Sequence, residues 1–223
     1  MLQSWRCLTF LHWEYPPEII QARLPGGLEV DAYGGSAWVG LTPFIASVGP
    51  PAGPEFLRLR FPETNVRTYV RGPGGARGVW FFSLDASRIM AVLGARAFYR
   101  LPYKYSRMRV TVQNGEVRYQ SRRVWPEAGA AAQIEIEPAG GLAPVELGEL
   151  DVFLTARWRL YTLLPAGLGH ADVEHPPWPL MQARVRRLDQ TLVEAAGLPA
   201  PRGAPLAHHS PGVTVRVGRP VAE

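Results

Sequence analysis

The chain has 223 residues, of which 47% are hydrophobic and 19% charged, and its formal net charge is +5. That length supports one large domain or two small ones with a substantial core. No run approaches the roughly 18 apolar residues of a membrane span, and the single cysteine, Cys7, excludes an internal disulfide.

The N-terminal run MLQSWRCLTFLHW lacks a basic start, a long apolar stretch and a small-residue cleavage site, so no signal peptide is expected. With the lone cysteine this makes a cytoplasmic location the expectation. The run WRCLTFLHW (5–13) reads as a strand, and PPEIIQARL as a short helix with prolines in its first turn. LEVDAY and SAWVGLTPF, separated by Gly34-Gly35, read as a hairpin, and ASVGPPAGP (46–54) as a loop. NVRTYVRG and GVWFFSLDA flank the turn GPGGAR and form a second hairpin. SRIMAVLGARAFY has helical periodicity, with Ile89, Met90, Leu93 and Ala97 on one face and Ser87 as N-cap. YKYSRMRVTVQ and EVRYQSRRV meet at Asn114-Gly115, a type I′ turn. AQIEIEP is one more strand, ELDVFLTARW a short helix and WRLYTLL a strand. The remainder, with VEHPPWPLMQARVRRLD, the helix TLVEAAG, LAHHS and VTVRVGRP, is strand-rich. No linker is long enough to separate domains. The expected fold is a single α+β domain, residues 1–223, mainly antiparallel β, curled into a barrel or cone around a pocket.

Lys104 is the only lysine; the other cationic side chains are arginines. Strand alternation from Tyr103 puts Lys104 with Ser106, Met108, Val110 and Val112, and puts Tyr103 with Tyr105, Arg107, Arg109 and Thr111 on the opposite face. An amine on an apolar face is costly when charged, and desolvation with nearby Arg100 and Arg107 favours its neutral form. A neutral amine is what Schiff-base chemistry requires; alternatively the side chain snorkels to solvent. In FPETNVRTYVRG (61–72), Asn65, Arg67 and Tyr69 share a face on which Arg67 can meet a carboxylate. Glu63 stands at the strand's start as acid, base or orienting group, against the plainer reading of an exposed, paired sheet face. His12 shares a face with Arg6, Leu8 and Phe10, either as a hydrogen-bonded core residue or as part of the pocket. Trp80 is a further wall candidate. His170, His175, His208 and His209 have no metal-ligand spacing, so no metal is expected. GPGGARG lacks the ending of a phosphate loop, and no other cofactor-binding motif is present. The scattered arginines and the absence of finger, zipper or RNP-type strings argue against nucleic acid.

The strings FLHWEYPPEIIQARLPGGLEVDAYGGSAWVGLTPF, FPETNVRTYVRG, GVWFFSLDAS, GARAFYRLPYKYSRM, FLTARWRLYT, HPPWPLMQARV and HHSPGVTVRVGRP occur in this order from residue 10 to 220. Together they resemble the YqjF-like family of uncharacterised bacterial proteins, related to the acetoacetate decarboxylase-like superfamily. The resemblance implies a largely antiparallel β fold enclosing a central pocket. The superfamily's decarboxylases form a Schiff base on a lysine in a Pro-Lys-Lys string. Matching that proline to Pro102 puts Tyr103 at the nucleophile's position and Lys104 at its neighbour's.

The expected function is binding of a small organic acid or other small molecule in a β-enclosed pocket walled by Arg67, Tyr103, Trp80 and His12. Two alternatives stand beside it. One is a Schiff-base decarboxylase or lyase acting on keto acids, with Lys104 as the amine and Glu63 assisting proton transfer. The other is a non-catalytic oligomeric or regulatory interaction protein, with a homo-oligomer as one form it takes. No cofactor, nucleic-acid or membrane partner is expected.

Overall fold

In the computed structural model, which describes residues 1–49, 58–143 and 146–223, thirteen strands and four short helices follow one another along a single sheet system. Strand β1 (Leu2–Tyr15), helix α1 (Pro17–Gln21), β2 (Glu29–Val30), β3 (Ala37–Gly49) and β4 (Leu59–Arg71) lead through a 3₁₀ turn at Pro73–Gly75 into β5 (Arg77–Ala86). Helix α2 (Ile89–Phe98), β6 (Tyr103–Gln113), β7 (Glu116–Trp125) and β8 (Ala131–Gly141) come next, then α3 (Glu149–Thr155) and β9 (Arg159–Leu164). The chain ends with β10 (Gly167–Glu174), β11 (Met181–Gln190), α4 (Leu192–Ala195), β12 (Leu206–Val217) and β13 (Val221–Ala222).

Two strands fork, and the forks curl the sheet. One edge of β5 pairs along β4, while the other is divided between β9 at Val79–Trp80 and β6 at Leu84–Ala86. Strand β12 pairs along β1 on one edge and divides the other between β11 at His208–His209 and β10 at Arg216–Val217. The pairings thus close on themselves by two routes that share β12, β1, β3, β4 and β5. Most pairs are antiparallel; β5 runs parallel to both β6 and β9.

The shared strands bury both faces, which explains their nearly continuous apolar runs. On β1, Leu8 and Phe10 join a core with Leu160, Ala171 and Val173 of β9 and β10. Leu11 and Trp13 join a second core with Tyr119, Ile134 and Ile136 of β7 and β8. Each large apolar side chain so buried contributes about 1.5–3 kcal/mol relative to exposure.

Bulges interrupt the alternation where the sheet bends. Cys7 has a positive φ of 47°, and between the pairs Arg6–Ile45 and Leu11–Leu41 strand β1 carries one residue more than β3, while its register with β12 is unchanged. The extra residue turns Arg6 outward, so His12 keeps Leu8 and Phe10 as face-mates but not Arg6, which is exposed. Gly212, opposite the bulge, has φ of 118°, and a Cβ there would stand 1.9 Å from the Trp5 carbonyl oxygen. Only glycine fits.

Three local readings change. β2 pairs with β4 and not with β3, and the Gly34-Gly35 turn closes a single bridge, Tyr33 to Ser36. Residues 46–49 of the expected loop extend β3, and residues 50–54 lie outside the described residues. Helix α2 has no side-chain N-cap bond, and it turns Val92 inward while Ile89, Met90, Leu93 and Ala97 are exposed. The small residues Ala91, Gly94 and Ala95 face the sheet instead and line a cavity beneath the helix. The I′ turn forms as expected, with Asn114 and Gly115 at φ of 52° and 80°. No helix of the described residues is long and apolar enough to cross a membrane.

Candidate active-site chamber

Along the inner face of β4, Glu63, Asn65, Arg67 and Tyr69 follow one another at every second residue. The β5 register shift between Val66 and Arg67 is absorbed by β5, so this row stays unbroken. Glu63 pairs across with Phe44 and Ala86, and Asn65 with Thr42 and Leu84. Leu84 in turn pairs with Tyr103 at the start of β6, which brings the Tyr103 ring over the β4 row. The Tyr103 hydroxyl donates to the Glu63 carboxylate at 3.1 and 3.2 Å from its two oxygens.

Glu63 is only 5% exposed. Burial pushes its pKa up to about 7, with a further push from the Asp85 charge, while hydrogen bonds from Tyr103 and Asn65 act the other way. At neutral pH this carboxyl is divided between its acid and its anion. Burial, and then the Glu63 charge, holds Tyr103 well above the ordinary tyrosine range, so it remains a donor.

Glu63 and Tyr103 stand where two cavities meet. An inner one of about 70 Å³ is walled by Gln3, Trp5, Asn65, Phe81, Leu84 and Leu101, among others. An outer one of about 300 Å³ lies beneath α2, against Val48, Leu59, Phe61, Met90, Gly94 and Phe98. Glu63, Tyr103, Tyr99, Ala95 and Gln3 line both. Among the described residues neither wall includes an arginine, lysine or histidine side chain.

One row deeper, His12, Gly40 and Arg67 lie side by side on β1, β3 and β4. A Cβ on Gly40 would stand 3.0 Å from the His12 ring and 3.6 Å from Arg67 Cγ, so the missing side chain lets those two converge. Tyr69 donates its hydroxyl to the Leu154 carbonyl at 2.7 Å, so at 2.6 Å His12 Nε2 must be the donor to Tyr69. Burial, with the Arg67 and His208 charges, keeps His12 well below the ordinary histidine range and therefore neutral. Arg67 is 9% exposed, stacks over Phe10 and Tyr69 at 5.3 and 5.8 Å, and forms no ion pair among the described residues. Arg67 Nε, His12 Nδ1, Asn65 Oδ1 and Thr42 Oγ1 are all buried without a partner there. The sequence row therefore holds, but Arg67 and His12 sit behind the chamber wall and not in it.

Lys104 points the other way from Tyr103. Its ammonium pairs with Glu127 at 2.9 Å and lines neither cavity. On its face Ser106 donates to Asp85 at 2.6 Å, and Arg123 grips Asp85 through Nε and Nη2 at 2.8 and 2.7 Å. Trp80 lines a separate pocket of about 240 Å³, on the far side of Phe81 and Leu101 from Glu63. A further concavity of about 770 Å³ is an open groove over Arg157, Arg159 and Trp158, away from the chamber. Beneath it Asp31 is buried and held by Arg71, Arg77 and Arg157 at 2.7, 3.0 and 2.8 Å, which fastens α3 to the sheet. Among the described residues no group of three His, Cys, Asp or Glu side chains could hold a metal.

Sequence reasoning missed Tyr99, Gln3 and α2 as parts of the site. The small-residue series Ala91, Gly94, Ala95 in α2 was the available signal, since a helix that must leave room beneath it cannot carry large residues there.

A profile of the DUF2071 family, described as an uncharacterized conserved protein, matches residues 2–214. The uncharacterized protein YqjF of Bacillus subtilis (strain 168) is 37% identical over 212 residues, covering 94% of this chain and 87% of that one. Among solved structures, acetoacetate decarboxylase from Legionella pneumophila superposes with a TM-score of 0.66 at 14% identity, over 100% of this chain and 88% of that one. The enduracididine biosynthesis enzyme MppR with HEPES buffer bound superposes with a TM-score of 0.66 at 14% identity, over 99% and 86% of the two chains.

Proposed function

From a chain that belongs to the DUF2071 family and has the acetoacetate decarboxylase-like fold, we propose a small-molecule binding protein whose ligand places its polar head between Glu63 and Tyr103. The observation that carries this reading is Glu63 itself. A buried carboxyl near neutrality, with a tyrosine donor on it and a cavity on either side, is costly to maintain unless a partner uses it. With no arginine, lysine or histidine side chain in either wall among the described residues, and the Met1 ammonium engaged with the Val217 carbonyl, an uncharged head group, a carbonyl compound or an acid in its protonated form, is favoured over a carboxylate. A carboxylate held by Arg67 requires an opening past Asn65 and Phe81. MppR, which shares the fold, holds a bound HEPES molecule, which supports ligand binding on this fold and says nothing about the ligand here.

A second reading, proton transfer on the bound carbonyl compound, is favoured by the same carboxyl, whose pKa of about 7 suits a general acid or base. The Schiff-base reading finds less support, because the only lysine amine is engaged with Glu127 on the opposite face.

Two measurements separate ligand binding from the Schiff-base reading. In ligand-observed NMR, 2-butanone binds saturably to the wild type and about two- to tenfold more weakly to Tyr103→Phe, the loss of one hydrogen bond. Borohydride treatment in the presence of pyruvate or acetoacetate leaves Lys104 unmodified by mass. Reduction onto Lys104 would restore the lyase reading, and a panel of small carbonyl compounds with no binder would end the ligand reading.

A further inference from the structure

The inner cavity is too small to be the whole site. At about 70 Å³ it accepts a head group of a few heavy atoms beside Glu63. The outer cavity, more than four times larger at about 300 Å³, adjoins it, and Glu63 and Tyr103 line both. Its character is different. Phe61, Val48, Leu59 and Met90 supply apolar surface, and Gly94 leaves space over the sheet. Met90 and Phe98, 72% and 79% exposed, stand at its rim. Large apolar side chains left this open on a helix are explained when they flank a passage that apolar matter occupies. The expected apolar stripe of α2 is therefore partly accounted for: Met90 belongs to the rim of a vestibule.

We propose that the ligand is amphipathic: an uncharged hydrogen-bonding head at Glu63 and Tyr103 carries an unbranched apolar tail of several carbons that runs out beneath α2 past Gly94. This rests on the chamber being a ligand site, as proposed above. It adds the substrate class, a medium-chain carbonyl compound in preference to a compact metabolite. The chemistry follows from the walls. Glu63 and Tyr103 supply the paired head contacts, with Gln3, Asn65 and Tyr99 beside them, and selectivity for length comes from the vestibule.

Gly94 gives the test. A Cβ built there meets nothing within 4 Å, so a larger residue projects into the vestibule without displacing the backbone. Replacing a helix-interior glycine also favours the helix, which keeps Gly94→Phe folded; Gly94→Ala serves as the control. Affinities are measured for 2-butanone, 2-pentanone, 2-heptanone and 2-nonanone. In the wild type and Gly94→Ala each added methylene tightens binding by about fourfold until the vestibule is filled. In Gly94→Phe the longer ketones lose that gain relative to 2-butanone measured on the same variant. Equal affinities along the series in the wild type overturn the tail and leave the chamber reading standing. A length gain that persists in Gly94→Phe puts the tail elsewhere and overturns the proposal. If 2-butanone itself does not bind, the chamber reading falls and the tail with it.

Discussion

Glu63→Gln makes the protein more stable at neutral and alkaline pH, and the gain grows with pH. In the folded state the Glu63 carboxyl titrates at about 7, against 4.5 for the free side chain. The folded chain therefore holds a proton that the unfolded chain has released over this window, and wild-type stability falls as pH rises. Below about 4.5 the carboxyl is protonated in both states and the variant differs little. Above about 7 the wild type carries a buried anion that glutamine does not, a difference on the order of 3 kcal/mol. Glutamine still accepts the Tyr103 hydrogen bond, so the comparison isolates the charge. For a chain of this size the gap corresponds to roughly 6–12 °C in Tm at pH 8. Thermal melts of both proteins from pH 4 to 8.5 check it; a gap that stays constant with pH would show that Glu63 carries no raised pKa.

Arg123→Met has the opposite sign. Arg123 and Asp85 are both buried, and Arg123 also reaches Ser83 at 3.3 Å. Removing the guanidinium leaves the Asp85 carboxylate without its counter-charge, which costs about 3–5 kcal/mol. The double variant Asp85→Leu with Arg123→Met removes both charges and recovers most of that loss. Urea denaturation of the three proteins decides it, and a single variant within 1 kcal/mol of the wild type would deny the pair this role. The consequence reaches the site. Asp85 is flanked by Leu84 and Ala86, the residues that pair with Tyr103 and Tyr105, so the ion pair pins β6 at the point where Tyr103 enters the chamber.

The β architecture was legible because its signals are local. The Asn114-Gly115 turn, the β4–β5 hairpin and the alternation that separates Tyr103 from Lys104 each depend on a few adjacent residues. The row Asn65, Arg67, Tyr69 was legible for the same reason, with Glu63 read only as standing at the strand's start. What lay beyond reach depends on partners distant in sequence. Nothing near Lys104 says that Glu127 awaits it, and nothing near Asp85 names Arg123. Period-two reasoning also fails silently at a bulge: Cys7 moved Arg6 off the His12 face, and the β5 register shift near Phe82 separates Phe81 from Leu84 in the count while keeping both inside. For α2 the hydrophobic pattern pointed to the wrong face, since a helix roofing a cavity meets the sheet with its small residues and leaves larger ones at the rim. Arg67 was recognised as a candidate carboxylate partner, but only the fold shows that it stands outside both cavity walls.

The central claim is that Glu63 is the group a ligand meets. The ¹³C carboxyl resonance of Glu63, assigned by its absence from Glu63→Gln, tests this when followed through a pH titration with and without 2-heptanone. A midpoint near 7 that moves when the ketone is added is the predicted result. A midpoint near 4.5, unchanged by any ketone in the series, would contradict it.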